Sequence, residues 1–100
     1  MRLSTDQITT ILDITQQQLG KGSCVSIYGS RLNDERKGGD LDLLIEVPER
    51  IGTLQRAELK MMLEAALQMP VDVLLYRQGS EPSAFQAIAL AQAVKLGQAA

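Results

Sequence analysis

Three aspartates and one glycine–serine pair are the residues of this 100-residue chain best suited to chemistry. Asp40 and Asp42 stand in the run Asp40-Leu41-Asp42-Leu43-Leu44-Ile45-Glu46-Val47, and Asp72 stands in Val71-Asp72-Val73-Leu74-Leu75-Tyr76. Both runs read as strands, in which successive side chains point to opposite faces. Asp40, Asp42, Leu44 and Glu46 then share one face. Leu41, Leu43, Ile45 and Val47 share the other, which is uniformly apolar and should face the helices. Strand rise separates the Cα atoms of Asp40 and Asp42 by about 6.5–7 Å, close enough for both carboxylates to converge on one divalent cation or a close pair. Val71, Val73 and Leu75 are the core-facing set of the other run, so Asp72 joins the first two aspartates if the two strands are neighbours. Like charges on one patch repel. A hard, oxygen-seeking cation such as Mg²⁺ removes that cost and is typically held by a few carboxylates plus substrate phosphates.

Gly29-Ser30 closes a third β-prone run, Cys24-Val25-Ser26-Ile27-Tyr28. Glycine permits close approach of the backbone to a phosphate. The N–H groups that follow, with the Ser30 hydroxyl, can cradle phosphate oxygens if a helical turn begins there. Arg31, Arg36 and Lys37 add positive charge to the same loop, interrupted by Asp34 and Glu35. Each piece has an ordinary reading on its own: Asp-x-Asp as the solvent face of a half-covered sheet, Gly-Ser as a turn, the basic residues as a solvated loop. Polar positions in all three strands beside a Gly-Ser turn and a basic loop are harder to assign to solvation alone.

Composition leaves the chemistry to carboxylates. The chain has no His and one Cys, Cys24, so a Ser-His-Asp triad is impossible and a structural zinc site is nearly excluded. A lone cysteine cannot form an intramolecular disulfide and fits a reducing cytosol. The formal net charge is −2, and Tyr28, Tyr76 and Phe85 are the only aromatics. That balance argues against direct nucleic-acid binding, which favours a basic excess and stacking platforms. The 45% hydrophobic content fits a soluble globular protein. The N-terminus lacks the apolar core of a signal peptide, and no apolar run reaches membrane-spanning length. A cytoplasmic protein is the expectation.

These residues need a scaffold, and the patterning supplies one. Ser4-Thr5-Asp6-Gln7 reads as a capping box before helical spacing of Ile8, Ile11, Leu12, Thr15 and Leu19, ended by Gly20-Lys21-Gly22. Leu54, Ala57, Met61, Leu63, Ala65 and Leu67 predict a second helix, limited by Pro70. A third helix, capped by Ser80 or Ser83, is expected to carry Phe85, Ile88, Ala89, Gln92 and Leu96 on one face and to end at Gly97. The order is α-β-β-α-β-α in a single domain over residues 1–100. The fold class is α/β (α+β): a small mixed sheet with helices mainly on one face. The first two strands, joined by a short loop, should be antiparallel; the helix between the second and third permits a parallel crossover.

The run from Tyr28-Gly29-Ser30-Arg31 through Gly38-Gly39-Asp40-Leu41-Asp42 to Ile45 resembles the signature of the polymerase-beta-like nucleotidyltransferase superfamily. More closely, it resembles the minimal nucleotidyltransferases (MNT), prokaryotic proteins that often pair with a HEPN-domain protein as antitoxin and toxin. The family pattern is Gly-Ser, a variable loop, Asp-x-Asp on a strand, and a third Asp on a later strand. Gly29, Ser30, Asp40, Asp42 and Asp72 match in order and context. Two departures stand out: nine residues separate Ser30 from Asp40, one fewer than the commonest loop, and Gly39 replaces the usual Ser before the first Asp.

The resemblance implies the nucleotidyltransferase fold and a magnesium-dependent transfer of a nucleoside monophosphate, AMP from ATP, to a hydroxyl. Asp40 and Asp42 would bridge two Mg²⁺ ions roughly 3.5–4 Å apart, with Asp72 on the second ion and helping to take the hydroxyl proton. Gly29 and Ser30, with Arg31 beside them, would hold the phosphates. A chain this short leaves no room for an acceptor-binding domain, so the acceptor is expected on another chain, a HEPN-type partner. Two alternatives stay open: an antitoxin that acts by stoichiometric contact alone, and a nucleotide-binding module without transfer. The sequence is also compatible with a homo-oligomer.

Overall fold

The computed structural model describes residues 3–29 and 40–98. Seven elements follow in order: α1 (Thr5–Leu19), β1 (Cys24–Tyr28), β2 (Leu41–Val47), α2 (Thr53–Leu67), β3 (Val71–Arg77), α3 (Ala84–Gln92) and β4 (Val94–Gln98). The four strands form one mixed sheet in the order β3-β2-β1-β4. β1 runs antiparallel to β2 and β4, and β2 runs parallel to β3. The expected architecture is observed, including the antiparallel first pair and the parallel crossover.

Local sequence accounts for the helix ends. The Ser4 Oγ accepts from the Gln7 N–H at 3.1 Å while the Gln7 Oε1 accepts from the Ser4 N–H at 2.9 Å, the reciprocal bonds of a capping box. Of the two candidate caps for α3, Ser83 fills the role, in a second box with Gln86. α2 starts at Gly52 without a side-chain cap and ends at Gln68, a left-handed residue two positions before Pro70.

The apolar face of β2 does what its alternation requires. Leu41, Leu43, Ile45 and Val47 pack with Val25, Ile27, Val71 and Val73 under α1 and α2, whose Ile11, Leu59 and Leu63 are fully buried. Burying each of these large side chains contributes roughly 1.5–3 kcal/mol. A smaller cluster lies on the opposite face, where Ala89 of α3 covers Tyr28 and Leu44. Two helices therefore cover one face and α3 covers part of the other. That second face is the one bearing the aspartates.

The C-terminal prediction needs correction. The third helix ends at Gln92 rather than running to Leu96, because Ala93 turns to extended backbone (φ −64°, ψ 138°). Val94–Gln98 forms β4, and Gly97, expected to stop a helix, pairs with Val25. Leu96 packs with the α1–α2 core instead of lying on an α3 face. Phe85 and Ile88, predicted on that same face, are 58% and 56% exposed. The physical reason is β1: all five of its residues are buried, so it is an interior strand with two edges to satisfy. β4 supplies the second edge.

Candidate functional site

Register brings two of the three aspartates together. Asp42 of β2 stands directly opposite Asp72 of parallel β3 and opposite Tyr28 of antiparallel β1. Directly opposed residues share a sheet face, so the three side chains emerge side by side from three adjacent strands. The Asp42 carboxyl is pushed above its ordinary range, first by burial, then by the charges of Asp72 and Asp40, and by a hydrogen bond with Asp72. The Tyr28 hydroxyl is raised as well, by burial and then by the charges of Asp42 and Asp72. Asp40 lies just before β2, exposed and outside the cleft lining, near enough for its charge to act on Asp42. Among the described residues, no three acidic side chains already converge as a finished metal-ligand set.

Gly29 explains how the backbone fits against this cluster. Its φ is 78°, a left-handed conformation, and a Cβ there would stand 2.5 Å from the Asp42 Oδ2. The conformation favours glycine, and a Cβ there would displace the Asp42 carboxylate. The carboxylate of Asp42 thus rests against the end of β1, where the Gly-Ser pair begins. Ser30, Arg31, Arg36 and Lys37, the expected phosphate-binding residues and their basic neighbours, lie outside the described residues.

Asp42 and Asp72 open onto a cleft of about 460 Å³. Asp42, Asp72 and Arg56 give it a polar side. Leu74, Phe85 and Ile88 give it an apolar one. Phe85 meets Tyr28 edge to face, with ring centroids 6.2 Å apart and planes at 75°, a favoured aromatic geometry. The cleft therefore combines an acidic floor with an apolar wall carried by α3.

The residues that sequence reasoning missed lie on α2. Arg56, Lys60 and Glu64 recur every fourth position and so form one row on the helix. That row clasps β3, an edge strand of the sheet. The Arg56 Nε donates to the Val73 carbonyl at 3.0 Å, and the Lys60 Nζ donates to the Val71 carbonyl at 2.5 Å. The Glu64 Oε2 accepts from the Val71 N–H at 2.9 Å and pairs with Lys60 at 3.0 Å. From α3, the Gln86 Nε2 donates to the Leu75 carbonyl at 3.0 Å. Side chains thus occupy backbone groups that an open edge would offer to another chain. Lys60 also reaches toward the site, with its Nζ 4.0 Å from the Asp72 Oδ1.

The Glu64 carboxyl is held below its usual range, first by the Val71 N–H and then by Lys60. A depressed folded value means that this contribution to stability is complete above the ordinary glutamate range and is lost as pH falls through the lowered value. Glu64→Gln should therefore melt earlier than the unaltered chain near neutrality. The difference should shrink as the pH is taken down, because protonation then weakens the clasp in the unaltered chain too. Thermal melts across pH read this directly.

The carboxylate pair suits a hard cation in donor type: oxygen ligands only, with Asp42 resisting ionisation first through burial and then through its acidic neighbours. Asp42 and Asp72, with Asp40 two residues before Asp42, are the residues that would hold magnesium.

Residues 9–96 match the family model described as polymerase beta, nucleotidyltransferase. No curated protein sequence matches the chain. Three of the solved structures similar to it are of toxin–antitoxin proteins. One is a tri-AMPylated Shewanella oneidensis HEPN toxin in complex with MNT antitoxin, with TM-score 0.72 and 19% identity over 94% of this chain and 71% of that one. Another is a toxin–antitoxin with AMP-PNP, with TM-score 0.73 and 20% identity over 89% of this chain and 71% of that one. A third is the toxin–antitoxin MntA-HepT, with TM-score 0.70 and 18% identity over 93% and 71%. At these identities the likeness is one of fold.

Proposed function

The chain belongs to the polymerase beta nucleotidyltransferase family, and on that premise we propose that it transfers AMP from ATP, with magnesium, to a hydroxyl on a HEPN-type partner, acting as the antitoxin of the pair. The observation that carries this reading is the in-register placement of Asp42 and Asp72 against Gly29 at the floor of an open cleft. The family supplies the reaction class. The choice of acceptor and nucleotide is supported by what the similar structures contain: one an AMPylated HEPN toxin, another AMP-PNP.

In the reaction, the acceptor oxygen forms a bond to the α-phosphorus of ATP. The bond from that phosphorus to the bridging oxygen breaks, and pyrophosphate leaves with the electron pair. Asp72, the more exposed of the in-register pair, takes the hydroxyl proton. Asp40, Asp42 and Asp72 would hold the magnesium. Gly29 keeps the end of β1 close to the Asp42 carboxylate, and Ser30 and Arg31 follow it as phosphate ligands. The metal, when bound, neutralises phosphate charge and lowers the pKa of the attacking hydroxyl. The rest is positioning and charge.

Label from α-phosphate-labelled ATP should move to the HEPN-type partner in the presence of magnesium. The double variant Asp40→Ala/Asp42→Ala should transfer none. A second reading, neutralisation by contact alone, is favoured by the nine-residue loop between Ser30 and Asp40. It expects the same double variant to protect cells from the partner as well as the unaltered chain does. Loss of protection counts against it.

A further inference from the structure

Arg56 has a second use beyond the edge of β3. Its helix, α2, packs on the sheet face opposite the aspartates, yet its side chain rounds the β3 edge and lines the cleft with Asp42 and Asp72. It is the only cationic side chain lining that cleft among the described residues. Its neighbour Lys60 is engaged by Glu64 and the Val71 carbonyl. Arg56 has no carboxylate within ion-pair distance among the described residues. A guanidinium carries five N–H donors in a rigid plane, and the bond to the Val73 carbonyl uses one. Four remain, on a group already held in place by its Nε, so little freedom is lost when they engage a ligand.

Capping an edge carbonyl does not need such a group. Gln86 does the same for the Leu75 carbonyl with a neutral amide. The surplus at Arg56 is charge and a planar fork, and these match phosphate oxygens. A cleft whose floor is acidic also needs positive charge if it is to accept a polyphosphate.

We propose that Arg56 is a phosphate-binding residue of the nucleotide site, delivered from the far face of the sheet around the β3 edge. This rests on the nucleotide-binding part of the reading above. Its anchored Nε fixes the plane of the guanidinium, and its remaining N–H groups bind the phosphates of the nucleoside triphosphate over the aspartates.

The test is calorimetric binding of MgATP and, separately, of adenosine. Arg56→Gln keeps an amide able to cap the Val73 carbonyl but removes the charge and the fork. MgATP affinity should fall roughly ten- to a hundredfold, as for loss of hydrogen bonds to a charged group. Adenosine affinity and the melting temperature should stay as in the unaltered chain. MgATP affinity unchanged in a folded Arg56→Gln overturns the assignment to Arg56 and leaves the nucleotidyl-transfer reading standing. No MgATP binding by the unaltered chain overturns both. Should Arg56→Gln not fold, Arg56→Lys carries the same test: weaker MgATP with unchanged adenosine supports the assignment, and no change in either overturns it.

Discussion

Asp42→Asn should abolish nucleotidyl transfer and, in metal-free buffer near neutral pH, make the protein more stable. The loss of activity follows from the position of Asp42 at the centre of the cluster, between Tyr28 and Asp72 in register and with Asp40 two residues away. Removing the groups that merely orient metal ligands typically costs ten- to a hundredfold, so losing a ligand should cost at least about a hundredfold. The gain in stability follows from the raised pKa of Asp42. The folded chain holds that proton more tightly than the unfolded chain does. Stability is therefore complete below the ordinary aspartate range and declines as pH rises through the raised value. Asparagine cannot ionise, keeps the shape, and can still hydrogen-bond with Asp72. Its melting temperature should exceed that of the unaltered chain by a few degrees at neutral pH, with the two curves meeting in acid. Equal stability at both pH values would remove the claim that Asp42 is held under electrostatic stress.

Gly29→Ala should lose activity to a similar degree but with the opposite effect on stability. A non-glycine residue at φ 78° costs roughly 1–2 kcal/mol in backbone conformation alone. The added Cβ would also stand 2.5 Å from the Asp42 Oδ2, so the carboxylate must leave its place. For a domain of this size, each 1 kcal/mol lowers the melting temperature by about 4–8 °C. A fall on the order of ten degrees is expected, together with loss of transfer. Activity and stability thus move together for Gly29→Ala and apart for Asp42→Asn. A general loss of fold cannot produce that contrast. A Gly29→Ala protein that transfers at the normal rate would show that Asp42 need not sit where the glycine lets it.

The site was legible where a short-range pattern determined the outcome. Period-two alternation in Leu41–Val47 placed Asp42 on the face away from α1 and α2 because four apolar residues had to face those helices. The same logic aligned Asp72, and the long helix between the strands allowed the parallel pairing that puts the two in register. Ser4 was readable as a cap because its partner, Gln7, lies three residues on, whereas the cap of α3 stayed open between Ser80 and Ser83. β4 was not readable. The Ala-rich stretch before it continues smoothly into Ala93-Val94-Lys95-Leu96, and only the unmet edge of β1 decides that the chain must extend there. Arg56, Lys60 and Glu64 form a visible helical row, but sequence spacing does not say which strand edge a row will meet. The apolar wall was half legible: Phe85 and Ile88 were assigned to one helix face correctly, but they flank a cleft and stay largely exposed instead of covering the sheet.

Catalysis and stoichiometric neutralisation differ in one countable quantity, the number of partners altered per chain. Incubating the protein with ATP, magnesium and a large molar excess of the proposed HEPN-type partner, then weighing the intact partner by mass spectrometry, measures it. The carboxylate site predicts that nearly all of the partner gains the mass of AMP, far more molecules than there are chains of this protein, and that Asp42→Asn modifies none. A partner that stays unmodified, while the unaltered chain and Asp42→Asn neutralise it equally at one-to-one ratio, would contradict the account.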